Sequence, residues 1–267
     1  MSVEEKKKTK LLVTINNIDD IEKYKKVGVS TFVFALKDYS IGYEKTYSYD
    51  EINKINEKKF VLINQVLDNN KLDSLRSILP YIEVDGFIFE DIGLINVFKE
   101  LNIKGQKILF MNHFNCNYES INTWLDYVDS VFVSNELTYE EIKEITLKSK
   151  KEVVLHILGY NQIMYSKRKL LSNYYKYNNK KEVKLKNTIK DKASDIKFNV
   201  IEDDNGTIFL SCKVFDGRRL LELENVLYYY MNTSYISFDA VVKFINNETI
   251  DGTDEGFLDK KTIYKLK

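Results

Sequence analysis

"GFIFEDIGLINVFKEL", residues 86–101, joins an apolar run that predicts a strand to a segment that predicts a helix. A run that is apolar at nearly every position is typical of a strand buried on both faces. The same order of strand, polar residues and helix recurs outward from this stretch in both directions. We predict eight such strands, at residues 11–16, 31–37, 60–66, 86–91, 107–112, 130–135, 152–158 and 234–240.

The alternation of strands and helices predicts the fold class. Strict β–α alternation implies parallel strands joined by right-handed crossovers. Eight such units in 267 residues favour a (β/α)8 TIM-like barrel over an open doubly wound sheet. No glycine-rich phosphate loop follows any predicted strand, which further weakens the case for a dinucleotide-binding fold. The sequence therefore predicts an α/β protein with a (β/α)8 barrel.

The regular pattern is interrupted between the seventh and eighth predicted strands. Residues 176–197 hold eight lysines against three acidic residues, a local excess of +5. We expect this part to be a solvated loop. Residues 198–213 predict a β-hairpin that turns at Asp204, Asn205 and Gly206. We place the whole insertion, at about residues 176–213, on the loop face of a single domain that spans residues 1–267.

Composition excludes several classes of protein. The chain is 44% hydrophobic and 30% charged with a formal net charge of +0, which argues against indiscriminate polyanion binding. Its longest apolar runs are far shorter than a bilayer span and no signal peptide is evident, so we expect a cytoplasmic protein with no membrane contact. Cys116 and Cys212 are too distant to form zinc or iron–sulfur ligand spacing.

Polar residues recur where the predicted strands end. Barrel enzymes carry their chemistry at this face, so the collection is a candidate site. Each member also has a structural interpretation, because Asp and Asn often cap helices or hold turns. His113 is better suited to proton transfer than His156, which lies in the middle of a strand. The candidates are Asn64, Gln65, Glu90, Asp91, Asn112, His113, Asn115, Asn135 and Glu136.

"LGYNQIMYSKRKLLSNYY", residues 158–175, contains the basic triplet Lys167, Arg168 and Lys169. With "VDGFIFEDIGLINVFKEL", "MNHFNCNYES", "VFVSNELTYEEIKEI" and the ending "EGFLDKKTIYKLK", it resembles the peptidase U32 family over nearly the whole chain. Iron–sulfur members of that family carry a glycine, a cysteine, a tyrosine–serine pair and a second cysteine in this block. Gly159, Tyr165 and Ser166 match this pattern.

The two cysteine positions of the family pattern fall on Gln162 and Lys169. An amide and an ammonium do not hold an iron cluster, so we expect none, and no metal site. The segment is expected to be a basic strand-to-helix turn. The resemblance implies relatives that hydroxylate tRNA, ribosomal RNA or a quinone precursor, some with prephenate as the oxygen donor. In Gram-positive bacteria the tRNA version resembles two neighbouring proteins, and this chain is similar to the shorter one, which lacks the cysteines.

Three functions are compatible with these residues and with the resemblance. The first is a cluster-free subunit or accessory in prephenate-dependent 5-hydroxylation of the tRNA wobble uridine, beside a cysteine-bearing paralogue. The second is a peptidase or collagenase-like hydrolase, although no nucleophile–base pair is evident. The third is a barrel enzyme that binds an anionic metabolite. The catalytic candidates are Glu136, Asn112 and His113. The candidates for binding substrate or RNA are Arg168, Lys167, Lys169, Tyr165, Ser166, Gly159, Asn135, Glu90 and Asn64.

Overall fold

The structure is a computed structural model that describes residues 8–111, 113–193 and 195–260. Strands alternate with helices along most of these ranges, which confirms the α/β class. The strands are β1 (Leu11–Thr14), β2 (Thr31–Ala35), β3 (Lys58–Ile63), β4 (Gly86–Phe89), β5 (Gln106–Leu109), β6 (Ser130–Val131), β7 (Val153–Ser166), β8 (Lys186–Lys190), β9 (Lys197–Asp203), β10 (Gly206–Asp216), β11 (Val226–Met231) and β12 (Thr253–Asp254).

The helices lie between successive strands. Side-chain caps begin most of them, and Thr138 with Glu141 forms a complete capping box. None of the helices in the described ranges combines the length and the apolar character needed to cross a membrane. They are α1 (Ile21–Lys26), α2 (Tyr49–Asn53), α3 (Asn69–Ile78), α4 (Gly93–Glu100), α5 (Tyr118–Trp124), α6 (Tyr139–Lys148), α7 (Leu170–Tyr177) and α8 (Phe238–Ile245), with 3-10 turns at Ile18–Asp20, Leu79–Tyr81 and Arg218–Glu222.

One hydrogen-bonded sheet joins the strands in the order β6-β5-β4-β3-β2-β1-β11-β7-β10-β9-β8, and β12 pairs with β10. The pairs from β6 to β7 along this path are parallel, whereas β7, β10, β9 and β8 pair antiparallel. Parallel strands share a direction, so their carboxyl ends lie along one edge of the sheet.

The parallel strands bury both faces, as their apolar runs predict. Successive side chains of a strand point to opposite faces, so Val61 and Ile63 join the cluster that contains the helix side chains, while Phe60 and Leu62 join a second cluster. This second cluster takes a side chain from each of the eight parallel strands or from the residue next to it. Its members are Leu12, Val33, Phe60, Leu62, Ile88, Ile108, Phe110, Phe132, Val154, Tyr228 and Tyr230.

The continuous strand pairing does not run round a complete ring. Beyond the end of β6, Phe132 forms an isolated parallel bridge with Val154 of β7, and the Val133 N–H donates to the Val154 carbonyl at 3.0 Å. A closed barrel therefore remains a prediction.

The prediction of the eighth parallel strand at residues 234–240 is wrong. The strand is β11, which lies between β1 and β7 in the sheet. Ser237 instead caps α8, because its hydroxyl accepts a hydrogen bond from the Ala240 N–H. Ser237 itself keeps an extended backbone, as N-cap residues usually do, but the helix begins at Phe238 and so ends any strand there.

The seventh strand and the insertion also differ from the prediction. The expected strand end at residue 158 is wrong, because β7 continues to Ser166 through antiparallel pairing with β10. The hairpin of β9 and β10 is present and turns at Asp204 and Asn205. The lysine-rich segment is not all loop, since Lys186–Lys190 pairs with β9 as β8.

Candidate functional site

Asn64 follows β3 directly and holds the loop that follows β2. Its Oδ1 accepts from the Ile41 N–H at 2.9 Å, and its Nδ2 donates to the Ile41 carbonyl at 3.1 Å. Gln65 has a similar role, because its Nε2 donates to the Asp38 carbonyl at 3.0 Å. Both side chains are buried. Their hydrogen bonds therefore position the loop over the carboxyl end of the sheet.

Glu90 follows β4 and is a mostly buried carboxyl group. Its Oε2 is buried and has no hydrogen-bond partner among the described residues. Burial, with a smaller contribution from the Asp91 charge, raises the pKa of Glu90 to about 8. Asp91 itself accepts hydrogen bonds from the N–H groups of Leu67 and Gly93, the structural role considered for it. At neutral pH Glu90 is therefore mainly a neutral acid that can donate a proton.

His113 and Glu136 form a side-chain pair across the loops that follow β5 and β6. Nδ1 of His113 lies 2.9 Å from Oε1 of Glu136, and the side chains are 32% and 45% exposed. Asn112, the third catalytic candidate, lies outside the described residues. The pair is accessible to a ligand and has the geometry to exchange a proton with one.

Asn135 and His156 belong to a buried network. The His156 Nε2–H donates to the Leu158 carbonyl at 2.8 Å, so its Nδ1 is free to accept from Nδ2 of Asn135 at 3.2 Å. The Asn135 amide also donates to Oδ1 of Asn161 on β7. Burial lowers the pKa of His156 to about 4, although the Leu158 bond opposes this. His156 is a neutral core residue with a defined tautomer, consistent with its position in the middle of a strand.

A group of buried hydroxyls lies close to these residues. The Tyr230 hydroxyl is 2.8 Å from Oγ1 of Thr14 and 3.3 Å from the Tyr43 hydroxyl. Burial raises the pKa of Tyr43 well above its usual range, and the neighbouring Tyr230 hydroxyl adds to this rise. Tyr43 and Tyr230 also line a small cavity of about 20 Å³ together with His156. Sequence analysis did not single out these tyrosines, although one lies in a tyrosine-rich loop and the other in the run "VLYYYM".

The extended part of β7 lies across this cavity with β10. Ile208 and Leu210 of β10 pack against Ile41, and both line the cavity. Gly159, a binding candidate, lies within β7 opposite Phe215, not in a turn. Its φ is +143°, a conformation that L side chains rarely adopt. Gly159 thus lets the strand pass close to the Asn232 backbone and His156.

The basic triplet forms the turn between β7 and α7, as predicted. Lys167 pairs with Asp68 at 2.7 Å, and Lys169 pairs with Asp204 at 3.0 Å. No such partner for the exposed Arg168 side chain occurs in the described part of the chain. Arg168 therefore keeps its guanidinium available between two paired lysines.

Tyr165 and Ser166 support this turn. The Tyr165 hydroxyl donates to the Asn205 carbonyl at 3.1 Å, and Ser166 Oγ accepts from the Arg168 N–H at 3.2 Å. Burial, with smaller effects from Asp203 and Glu90, raises the pKa of Tyr165 to about 12. Their side chains thus position the turn.

The structure does not unite all the candidates in one site. Lys167 contacts Asp68, which follows β3, whereas Glu136 follows β6, three strands further along the sheet. The described residues show no contact between Arg168 and Glu136. Two regions result, the His113–Glu136 pair and the Arg168 turn, with Glu90 and the buried tyrosines as further groups at the same end of the sheet.

Comparison with known proteins identifies the family. The model of peptidase family U32 matches residues 44–221, more than half of the chain. The chain belongs to the peptidase U32 family. This U32 chain is also similar to the "tRNA hydroxylation protein P2" of Bacillus subtilis (strain 168). The identity is 26% over 226 residues, which cover 77% of this chain and 72% of the relative. No solved structure gives a significant match.

The described residues of this U32 protein show no activated cysteine for peptide hydrolysis. Cys116 is closest to the His113–Glu136 pair, but its Sγ contacts the His113 carbonyl oxygen at 3.7 Å and not the ring. Burial, with the charges of Glu136 and Glu141, raises the pKa of the Cys116 thiol. A nucleophilic cysteine needs the opposite shift, because the thiolate is the reactive form.

The donor set at the family's cluster positions does not fit an iron cluster. Gln162 and Lys169 supply an amide and an ammonium there, and Lys169 is already paired with Asp204. In the described ranges no three His, Cys, Asp or Glu side chains lie close enough to hold a metal ion. Cluster ligands are thiolates, with histidine as the common substitute, so we derive no reaction step through a cluster.

Proposed function

We propose that this U32 protein takes part in the 5-hydroxylation of the tRNA wobble uridine as a cluster-free subunit beside a cysteine-bearing paralogue. The similarity to a tRNA hydroxylation protein, over 77% of this chain and 72% of the relative, carries the proposal. Prephenate is the proposed oxygen-donating co-substrate, and the cytoplasm is the proposed location. The zero net charge argues against strong RNA binding by this chain alone, so we propose that the RNA contact is shared with the partner.

We propose further that the eight parallel strands form a (β/α)8 barrel within a single domain. Two observations support this architecture. The second hydrophobic cluster draws on all eight strands, as the interior of a barrel does. The Phe132–Val154 bridge connects the two ends of the parallel series. The proposed site then lies at the carboxyl end of the barrel, where such enzymes carry their chemistry.

The residues at this end have distinct proposed roles. The His113–Glu136 pair is exposed and suits proton transfer with a bound ligand. Arg168 suits the carboxylates of prephenate or an RNA phosphate, because its planar fork donates two parallel hydrogen bonds. Because these two regions are separated in the sheet, we propose that the ligand extends between them.

The protein is expected to contain no iron when it is purified under anaerobic conditions. Neither Gln162 nor Lys169 can replace a cluster thiolate. Iron, acid-labile sulfide and visible absorbance are measured on the purified chain, with a cysteine-bearing U32 protein prepared in parallel as the control. A visible absorption band with stoichiometric iron and sulfide would contradict the cluster-free proposal.

Arg168→Lys is expected to lower the cellular level of the hydroxylated wobble nucleoside at least about tenfold, because a charge-assisted hydrogen bond contributes roughly 1.5–3 kcal/mol. Thermal stability should change little, since the exposed guanidinium has no side-chain partner in the described structure. Nucleoside mass spectrometry of a deletion strain that carries each variant makes the measurement.

Arg76→Lys is the matched control, because it makes the same change at an arginine that pairs with Glu100 on another surface. It should support wild-type hydroxylation. Full hydroxylation in the Arg168→Lys strain would remove the proposed role of Arg168. Full hydroxylation in the deletion strain without any copy of the gene would remove the proposed function itself.

A further inference from the structure

A groove of about 590 Å³ lies between the antiparallel strands and the turn before α8. Tyr160 of β7 and Tyr235 of the turn line it with Lys184, Lys186 and Asn187. Pairing between the Glu202 N–H and the Leu185 carbonyl continues the register of β8 toward Lys184. Lys184 and Lys186 lie on either side of a bend at Leu185, and both line the groove. The groove therefore combines two cations with two aromatic rings.

The two groove lysines differ in their pairing from Lys167, Lys169 and Lys190, whereas other lysines such as Lys180 and Lys181 likewise have no ion-pair partner among the described residues. Lys190, at the far end of β8, pairs with Asp195 at 2.7 Å, and Lys167 and Lys169 also have carboxylate partners. Lys184 and Lys186 have no acidic partner in the described structure, and no carboxylate belongs to the described lining. Two uncompensated cations in a concave site favour an anionic ligand.

Tyr235 lies in a turn whose backbone is fixed by a hydrogen bond to a remote side chain. Its φ is +64°, an unusual value for a residue other than glycine, asparagine or aspartate. The Tyr235 N–H donates to Oε2 of Glu44 at 3.0 Å, which fixes the turn and places the Glu44 carboxylate beside it. The Lys186 Nζ lies 4.7 Å from the centre of the Tyr235 ring. A ring and a cation are thus placed to contact the base and the phosphate of one nucleotide.

The groove adjoins the candidate site. Tyr160 and Leu210 line both the groove and the small cavity that contains Tyr43 and His156. A chain bound in the groove would therefore pass close to the carboxyl end of the parallel strands. A free anion would not need the aromatic rings, and a rigid duplex would not present unstacked bases to them.

We propose that this groove binds a single-stranded segment of RNA, with a base stacked on Tyr235 or Tyr160 and phosphates contacted by Lys184 and Lys186. The proposal rests on the proposed function and deepens it by assigning the RNA-binding surface. Stacking accepts every base and lysine contacts recognise the backbone, so the groove supplies affinity without sequence preference. Base selection belongs to other groups at the site.

The test is the affinity of the full chain for a fluorescent anticodon stem-loop RNA. Tyr235→Ala is expected to weaken binding about 5- to 150-fold, the equivalent of about 1–3 kcal/mol for one lost stack. Tyr235→Phe keeps the ring and should retain binding. Replacing both Lys184 and Lys186 with alanine should lower the slope of log affinity against log salt by about 1.4, or about 0.7 for each phosphate contact.

The matched controls are Lys143→Ala and Tyr127→Ala, since both residues are exposed and lie outside the groove. They should bind as the wild type does. Because Tyr235→Ala can also affect folding, Tyr160→Ala is measured beside it, with melting temperatures for all variants. Equal binding by the lysine double variant, Tyr160→Ala and the wild type would overturn the proposal, as would the absence of saturable binding by the wild-type chain.

Two further outcomes separate this proposal from its alternatives. If the groove variants keep RNA binding but lose co-purification with a cysteine-bearing paralogue, the groove binds protein and the RNA proposal is overturned. If they lose RNA binding while the deletion strain still hydroxylates its tRNA, the groove assignment is supported and the proposed function fails. If the groove variants keep RNA binding while deletion of the gene abolishes hydroxylation, the groove assignment is overturned and the proposed function is supported.

Discussion

Gly159→Ala is expected to lower the free energy of unfolding by about 2–6 kcal/mol, since backbone strain and overpacking each cost roughly 1–3 kcal/mol. The φ of +143° disfavours any side chain at this position. An added Cβ would also lie 2.8 Å from the Asn232 carbonyl oxygen and 2.8 Å from Nε2 of His156. Backbone and a buried ring cannot move aside at little cost, so we expect both penalties to apply.

Gly252→Ala is the matched control because it separates the two penalties. Gly252 also has a positive φ, +77°, but an added Cβ there would meet no atom within 4 Å. Gly252→Ala should lower the free energy of unfolding by only about 1–2 kcal/mol, which is the contribution of backbone strain. Urea denaturation of both variants makes the comparison at a constant m value. Equal losses for the two variants would show that the close approach at Gly159 does not constrain the fold.

The contribution of Glu90 to the stability of the wild-type protein is expected to fall as the pH rises from about 4.5 toward 8. Below about pH 6.5 the lowered pKa of His156 acts in the opposite direction, so the net fall should appear mainly between about pH 6.5 and 8. The pKa of Glu90 in the folded protein is about 8, against an ordinary value of 4.5. At Glu90 the folded state therefore binds more protons in this interval than the unfolded state does, and this contribution decreases with pH. The contribution of Glu90 alone over this interval is several kcal/mol, since each pKa unit corresponds to about 1.4 kcal/mol.

Glu90→Gln keeps the shape of the side chain and removes its titration. The variant should therefore be more stable than the wild type at pH 8 and should lose this part of the pH dependence. Glu140→Gln is the control, because Glu140 is an exposed carboxylate on α6. Denaturation curves at several pH values provide the measurement. Parallel pH profiles for wild type and Glu90→Gln would show that Glu90 is not held as a neutral acid.

The strands between β1 and β7 were predictable because their buried runs are local in sequence. "GFIFED" places Phe87 and Phe89 on one face and Ile88 on the other, and all three are apolar. Such a run favours a strand wherever it is placed in a parallel sheet. The eighth strand was misplaced because "SYISFDA" has the residue types of a strand, whereas Ser237 acts as a helix cap.

The candidate site was predictable in its residue types and not in its contacts. His113 and Glu136 were identified by their positions after two strands, and the loops bring their side chains to 2.9 Å. Three adjacent basic residues do not reveal which one has no ion-pair partner in the described part of the chain. Asp68 and Asp204 pair with Lys167 and Lys169 from 99 and 35 positions away. The groove tyrosines were likewise missed, because β7, β8 and the turn before α8 are distant in sequence.

The sequence by itself determined the α/β class, the parallel strands up to β7 and the loss of both cluster cysteines. These properties depend on residue type and on periodicity over a few positions. Only the tertiary structure decided that β7 continues through Gly159, that Oε2 of Glu90 is buried without a hydrogen-bond partner among the described residues, and that Arg168 has no ion-pair partner among them. Strand pairing, burial and ion pairs depend on contacts between segments that are far apart in the sequence, and the local sequence does not specify those contacts.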